Sequence, residues 1–107
     1  MWLARLSGEP HPGYATEAYR SLAVLQNDWP AVHERLRLWA ERLDDTAVVA
    51  PFTWTDSKGR TWTMPLWQVI LHVVNHGTHH RGQVAGFLRA MGHEPPGLDI
   101  TVFGRKG

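Results

Sequence analysis

The sequence predicts a mainly α protein, a helical bundle with a small β-hairpin before its last helix. Three observations carry that prediction. Leu66, Ile70, Val73, Gly77, His80, Val84, Phe87 and Met91 recur at alternating steps of four and three, the period of one packed face of a bundle helix. Leu22, Leu25, Trp29, Val32, Leu36, Trp39 and Leu43 step in the same way. Between these stretches, Phe52-Thr53-Trp54-Thr55 and Arg60-Thr61-Trp62-Thr63 alternate with period two around Asp56-Ser57-Lys58-Gly59, a hairpin pattern in which Gly59 supplies the positive φ.

Taken in order, residues 2–6 are expected to form a turn or two of helix, which Gly8-Glu9-Pro10-His11-Pro12-Gly13 ends. His11 then lies in a solvated loop. Thr16 is the expected N-cap of a helix running to Leu43. Pro30 falls inside it, and a proline removes a backbone donor and crowds the preceding turn. Either the helix kinks there, or it stops near Asn27 and restarts with Asp28 as N-cap; the unbroken apolar period favours one kinked helix. Glu34, Arg35, Arg37, Glu41 and Arg42 form a solvated face, with His33 as a surface histidine beside it. Asp44-Asp45-Thr46 closes the helix. Phe52, Trp54 and Trp62 are expected to cover one end of the bundle. Pro65 suits the first turn of the last helix, expected over residues 65–91, with Gly92 at its C′ position and Pro95-Pro96 preventing a restart. Leu98 and Ile100 are expected to fold back onto the bundle, and residues 104–107 to fray.

A chain of 107 residues is one domain at most, and 43% hydrophobic content is that of a globular protein. A net charge of +1, with no run or stripe of Lys and Arg, argues against a nucleic-acid surface. The absence of cysteine excludes disulfides and thiolate metal ligands. No apolar run approaches the roughly 20 residues of a membrane span, and residues 1–7 are too short for a signal peptide. A cytoplasmic protein is the expectation. Six tryptophans in so short a chain need a substantial core or an interface to cover them.

The chemistry concentrates in His72-Val73-Val74-Asn75-His76-Gly77-Thr78-His79-His80-Arg81-Gly82-Gln83, where four of the seven histidines fall. His80 lies on the apolar face, where an imidazole loses solvation and needs a partner. His76 stands one turn earlier, so the two can grip one ion from the same side. Gly77, between them, is expected to leave room for a ligand. Gln83 can make a structural hydrogen bond or orient a ligand; Arg81 and Asn75 are expected to point away from the histidine pair. Imidazole suits zinc, nickel, copper or iron. A zinc-protease helix would carry a glutamate directly after its first histidine, and here that residue is Gly77. No serine or cysteine nucleophile is paired with a histidine by any motif, and there is no glycine-rich phosphate loop. Any reaction would therefore have to be carried by a bound metal.

The stretch from His72 to Gln83, followed by Val84-Ala85-Gly86-Phe87-Leu88-Arg89-Ala90-Met91-Gly92-His93-Glu94-Pro95-Pro96-Gly97-Leu98-Asp99-Ile100, resembles the last helix and tail of the DinB/YfiT-like family of metal-binding four-helix bundles. The likeness extends back through residues 53–70, and residues 2–9 resemble the end of that family's second helix. The resemblance implies a divalent metal, zinc or nickel above all, held by three histidines. Two carry over to His76 and His80; the third would precede the tryptophan that resembles Trp2, and Met1 intervenes. The expectation is thus a single DinB-like domain over residues 1–107, lacking the first helix and most of the second.

Three functional readings follow. The first is a metal-dependent enzyme of transferase, isomerase or hydrolase type, because some members of the family are thiol-dependent S-transferases or isomerases; its substrate would be a thiol or another small molecule. The second is a non-catalytic, dimeric helical module with a vestigial histidine site. The third is a fragment of a longer chain. Two long helices with wide apolar faces also predict a homodimer, since a four-helix bundle buries each helix against two neighbours. His11, His33, His72 or a second chain could supply a third ligand.

Overall fold

The computed structural model describes residues 2–8 and 21–105. It is mainly helical with one two-stranded hairpin, as the sequence predicts: α1 (Trp2–Ser7), α2 (Leu22–Glu41), α3 (Asp45–Val49), β1 (Pro51–Thr55), β2 (Thr61–Pro65), α4 (Leu66–Ala90) and α5 (Ile100–Arg105). The chain divides into two compact units, Met1–Trp67 and Gln68–Gly107.

In the first unit, α2 starts later than the sequence suggests. Ser21, in extended conformation, accepts a hydrogen bond from the Val24 amide through its hydroxyl at 3.2 Å, so it is the N-cap, and Thr16 lies outside the described residues, as does His11. Such a cap contributes about 1 kcal/mol. The helix then runs unbroken through Pro30, which settles the choice between a kinked helix and a restart at Asp28 in favour of one helix. Gln26, whose carbonyl loses the Pro30 donor, is exposed, so water can satisfy it and the proline is tolerated.

Asp44 does not merely close α2. Its carboxylate accepts the Ala47 amide at 2.7 Å and caps the single-turn helix α3, an element the sequence reading missed because five residues are too few to show a period. The hairpin pairs Phe52 with Met64, Thr53 with Thr63 and Trp54 with Trp62. Its loop is five residues, Asp56–Arg60, one longer than expected; within it the Asp56 amide donates to the Arg60 carbonyl at 2.8 Å, around a turn closed by Gly59 N–H to Asp56 C=O at 3.1 Å. Gly59 has the expected positive φ of 78°. Pro65 ends β2, paired with Pro51, instead of opening α4.

Of the aromatic residues expected to cover an end, Phe52 and Trp54 are half-buried, and the Trp2 ring lies 5.8 Å from that of Trp54. Trp62 is 45% exposed; its indole N–H donates instead to Asp56 at 2.9 Å. Asp56 also accepts the amides of Lys58 and Arg60, each at 2.9 Å, and Arg60 Nε at 3.0 Å. These donors hold its carboxyl below the usual carboxylate range, the Trp62 bond foremost.

In the second unit α4 continues to Ala90 and ends as expected at Gly92, with φ 85°. The His93 amide donates to the Leu88 carbonyl at 2.8 Å and the Gly92 amide to that of Arg89 at 3.0 Å, the paired bonds of a Schellman cap. Val69 and Ala85 are buried, as is Pro95. The tail departs from expectation: Ile100 is 84% exposed and opens the short helix α5, which includes Gly104. The apolar faces of both long helices are largely uncovered among the described residues. Trp29 of α2, Val84 and Phe87 of α4, and Met91 just past its end all stand more than half exposed, and α2 has no buried residue.

Candidate metal centre

The histidine-rich stretch lies wholly within α4, in the second unit, so backbone geometry alone fixes the relation of its side chains. His76 and His80 are one turn apart. Their Nε2 atoms are 3.0 Å from each other, with ring centroids 4.5 Å apart and planes at 90°. His72 stacks on His76 at 5.7 Å, and His79 stands 6.4 Å from His76 and 5.4 Å from His80. The helix therefore carries four imidazoles on neighbouring positions, of which one pair has converging nitrogens.

The Gln83 side chain fixes the proton on one of them. His80 Nδ1–H donates to Gln83 Oε1 at 3.0 Å, which leaves the Nε2 of His80 as a lone pair. That lone pair accepts from His76 Nε2–H at 3.0 Å. Moving the His76 proton to its own Nδ1 would leave both Nε2 atoms with a free lone pair. At zinc–nitrogen distances of about 2.0–2.1 Å, two nitrogens on one ion stand about 2.9–3.4 Å apart between right-angled and tetrahedral geometry. The observed spacing fits that range, and both residues offer nitrogen donors of the kind such ions take.

The surroundings differ from the sequence reading in two respects. His80 is exposed among the described residues and is not enclosed in the apolar face; the residues that continue that face, Val84 and Phe87, are exposed with it. Gly77 does not leave an open space. A Cβ there would meet Arg81 Nη1 at 2.9 Å, because the Arg81 guanidinium folds back over the glycine. Arg81 thus turns along the helix toward Gly77, where it also donates to Thr78 Oγ1 at 3.2 Å. The helical spacing of four already permits this contact; only its side-chain conformation was hidden.

Partial desolvation lowers the His76 pKa from its ordinary value, and the nearby charges that His80, His72 and His79 would carry lower it further. His76 is thereby biased toward the neutral form that a metal needs. Among the described residues, no group of three or more His, Cys, Asp or Glu side chains is placed to hold one ion. His72 stacks beside His76 without converging on the pair, and His33 lies on α2, in the other unit.

A sequence model of the DinB family matches residues 1–106. The chain belongs to the DinB family. No curated protein and no solved structure gave a significant match. The match spans this DinB chain from α1 to α5, so the histidine helix sits inside the family domain and not in an appended segment. None of its described helices is long and apolar enough to cross a membrane.

Proposed function

We propose that this DinB-family chain binds a divalent metal, zinc or nickel, through the Nε2 atoms of His76 and His80, and uses it as a metal-dependent enzyme on a thiol or another small molecule. The observation that carries the reading is the 3.0 Å convergence of the two Nε2 atoms, backed by Gln83 on the far side of the His80 ring. A bound divalent ion acts as a Lewis acid that lowers the pKa of a coordinated water or thiol. The protein's part is to hold two neutral imidazoles in place. Gln83 keeps the His80 proton on Nδ1, and the depressed His76 pKa keeps that ring unprotonated near neutral pH.

Two nitrogen donors are fewer than the three protein ligands usual at catalytic zinc. A second copy of the chain is the proposed source of the missing one, in a cytoplasmic homodimer that also covers the exposed faces of α2 and α4. A non-catalytic dimeric helical module is the second reading, and the lack of a third converging ligand among the described residues favours it. Elemental analysis of tag-free protein tests the proposal, with His76→Ala and His80→Ala as controls. Stoichiometric metal lost in both variants supports it; wild-type protein without bound metal, even after incubation with zinc and nickel, overturns it.

A further inference from the structure

The Arg81 side chain has a placement that helix packing alone does not require. Its guanidinium lies against the backbone of Gly77, with Nη1, Cζ and Nη2 at 2.9, 3.6 and 3.7 Å from where a Cβ would sit. Any other residue at position 77 would push it away. Among the described residues its side chain donates to Thr78 Oγ1 at 3.2 Å, a neutral acceptor, and that hydroxyl is itself directed to the Val74 carbonyl at 3.2 Å. The described residues thus give this cation no carboxylate, whereas Arg37 has two, Glu34 and Glu41, and Arg60 has Asp56.

Gly77 directly follows His76 and Arg81 directly follows His80. A helix advances about 100° and 1.5 Å per residue, so the guanidinium occupies the strip next to the converging histidines and at the same height along the axis. It is held there by the notch at Gly77 and retains donors to spare.

We infer that Arg81 is the anion-docking residue of the His76–His80 site and receives the carboxylate of a small substrate. A guanidinium offers parallel N–H donors that match a planar carboxylate. The inference rests on the metal-site reading for what the docked molecule meets next, and it deepens that reading by naming the charged end of the substrate.

The test uses the full chain, with acetate as the probe and acetamide as its neutral counterpart. In metal-free protein, nitrogen-resolved NMR of the arginine side chains should show Arg81 Nε–H shifting saturably with acetate, together with the His76 and His80 rings, and not with acetamide. Arg89 and Arg105, in the same unit, serve as internal references. Arg81→Gln should weaken the histidine response to acetate at least threefold. Gly77→Ala should weaken it as well; that variant keeps the charge, and alanine is the better helix former. Cobalt binding, followed by visible absorption, is measured separately. Retained cobalt affinity in Arg81→Gln, with the acetate response lost, is the expected pattern. Failure of the wild type to bind cobalt, with the acetate response intact, would sink the metal reading and leave Arg81 as an anion site. Arg81 shifting no more than Arg89 and Arg105, acetamide matching acetate, or cobalt affinity falling in Arg81→Gln would each overturn the inference.

Discussion

His76 and His80 face each other across one helical turn with their Nε2 atoms 3.0 Å apart, and Gln83 accepts the Nδ1 proton of His80 from the next turn. The arrangement makes Gln83 part of the site without being a ligand. Replacing it by leucine frees the His80 proton to move to Nε2, where it would block coordination. The expected loss in zinc affinity is about 10–100-fold, the usual effect of removing such an outer partner. Competition titration against a chelator measures it; unchanged affinity in Gln83→Leu would show that the tautomer is set by something else.

His76 should leave a signature in the pH dependence of folding. Its pKa in the folded chain lies below the unfolded value, through desolvation first and then the neighbouring histidines. Between those two values the unfolded chain binds more protons, so stability rises with pH there and falls as pH drops through about 6.5 toward the folded pKa. Urea midpoints of the metal-free protein should therefore fall on going from neutral pH to mildly acidic pH. His76→Gln should show a shallower fall; an identical profile would contradict the shift.

Asp56 predicts the same sense at lower pH. Its folded pKa is depressed below the ordinary 3.8, so the stability it contributes is present above that value and is lost as pH falls through it. Its four acceptor contacts join the turn to Arg60 and Trp62. Asp56→Ala should loosen the hairpin selectively. Faster amide exchange at Lys58 and Arg60, and a red-shifted fluorescence contribution from Trp62, would report it. Protection equal to wild type would show the turn to be held by Gly59 and the strand pairing alone.

Pro30 is an internal cost that the fold tolerates. Alanine there restores the amide donor to the Gln26 carbonyl and removes the ring clash, and the full interior penalty of proline against alanine is about 3 kcal/mol. Water on the exposed Gln26 carbonyl reduces the net gain, so Pro30→Ala is expected to stabilise the chain by about 1–2 kcal/mol. Thermal or urea denaturation measures it. Destabilisation would mean that the proline shapes α2 for a contact the alanine helix cannot make.

How much was legible in advance follows from which forces act locally. The long helices and the hairpin could be read because apolar periods of seven and of two leave a mark over many residues. Gly59 and Gly92 could be placed because a positive φ has few other solutions. Elements too short to repeat, such as α3 and α5, leave no such mark, and the exact N-cap does not either: both Thr16 and Ser21 offer a hydroxyl, and Ser21 is the one that caps α2. In the site, the spacing of His76 and His80 was visible in sequence, because a four-residue step aligns side chains. The Arg81 fold-back and the exposure of His80 were not, since both depend on rotamers and on whether anything covers the helix.

The last prediction concerns that cover. Phe87 is 68% exposed, Met91 70% and Val84 57%, all on the α4 face that also carries His80. On α2, Trp29 is 62% exposed and Leu22 69%. Burying a large apolar side chain contributes about 1.5–3 kcal/mol, so a handful of them can offset the roughly 4–15 kcal/mol that association costs in lost freedom. A second copy presents the same faces, and two copies supply four long helices, enough for a bundle. It would also bring a second pair of histidines to a face that already carries one. Light scattering at micromolar concentration is expected to give twice the 12.1 kDa of the chain. Phe87→Asp should weaken the pairing more than tenfold, because a buried unpaired carboxylate costs several kcal/mol. Zinc or nickel should tighten the wild-type dimer if both copies contribute ligands, and should leave it unchanged if each site is self-contained. A folded 12.1 kDa species across that concentration range would rule the homodimer out.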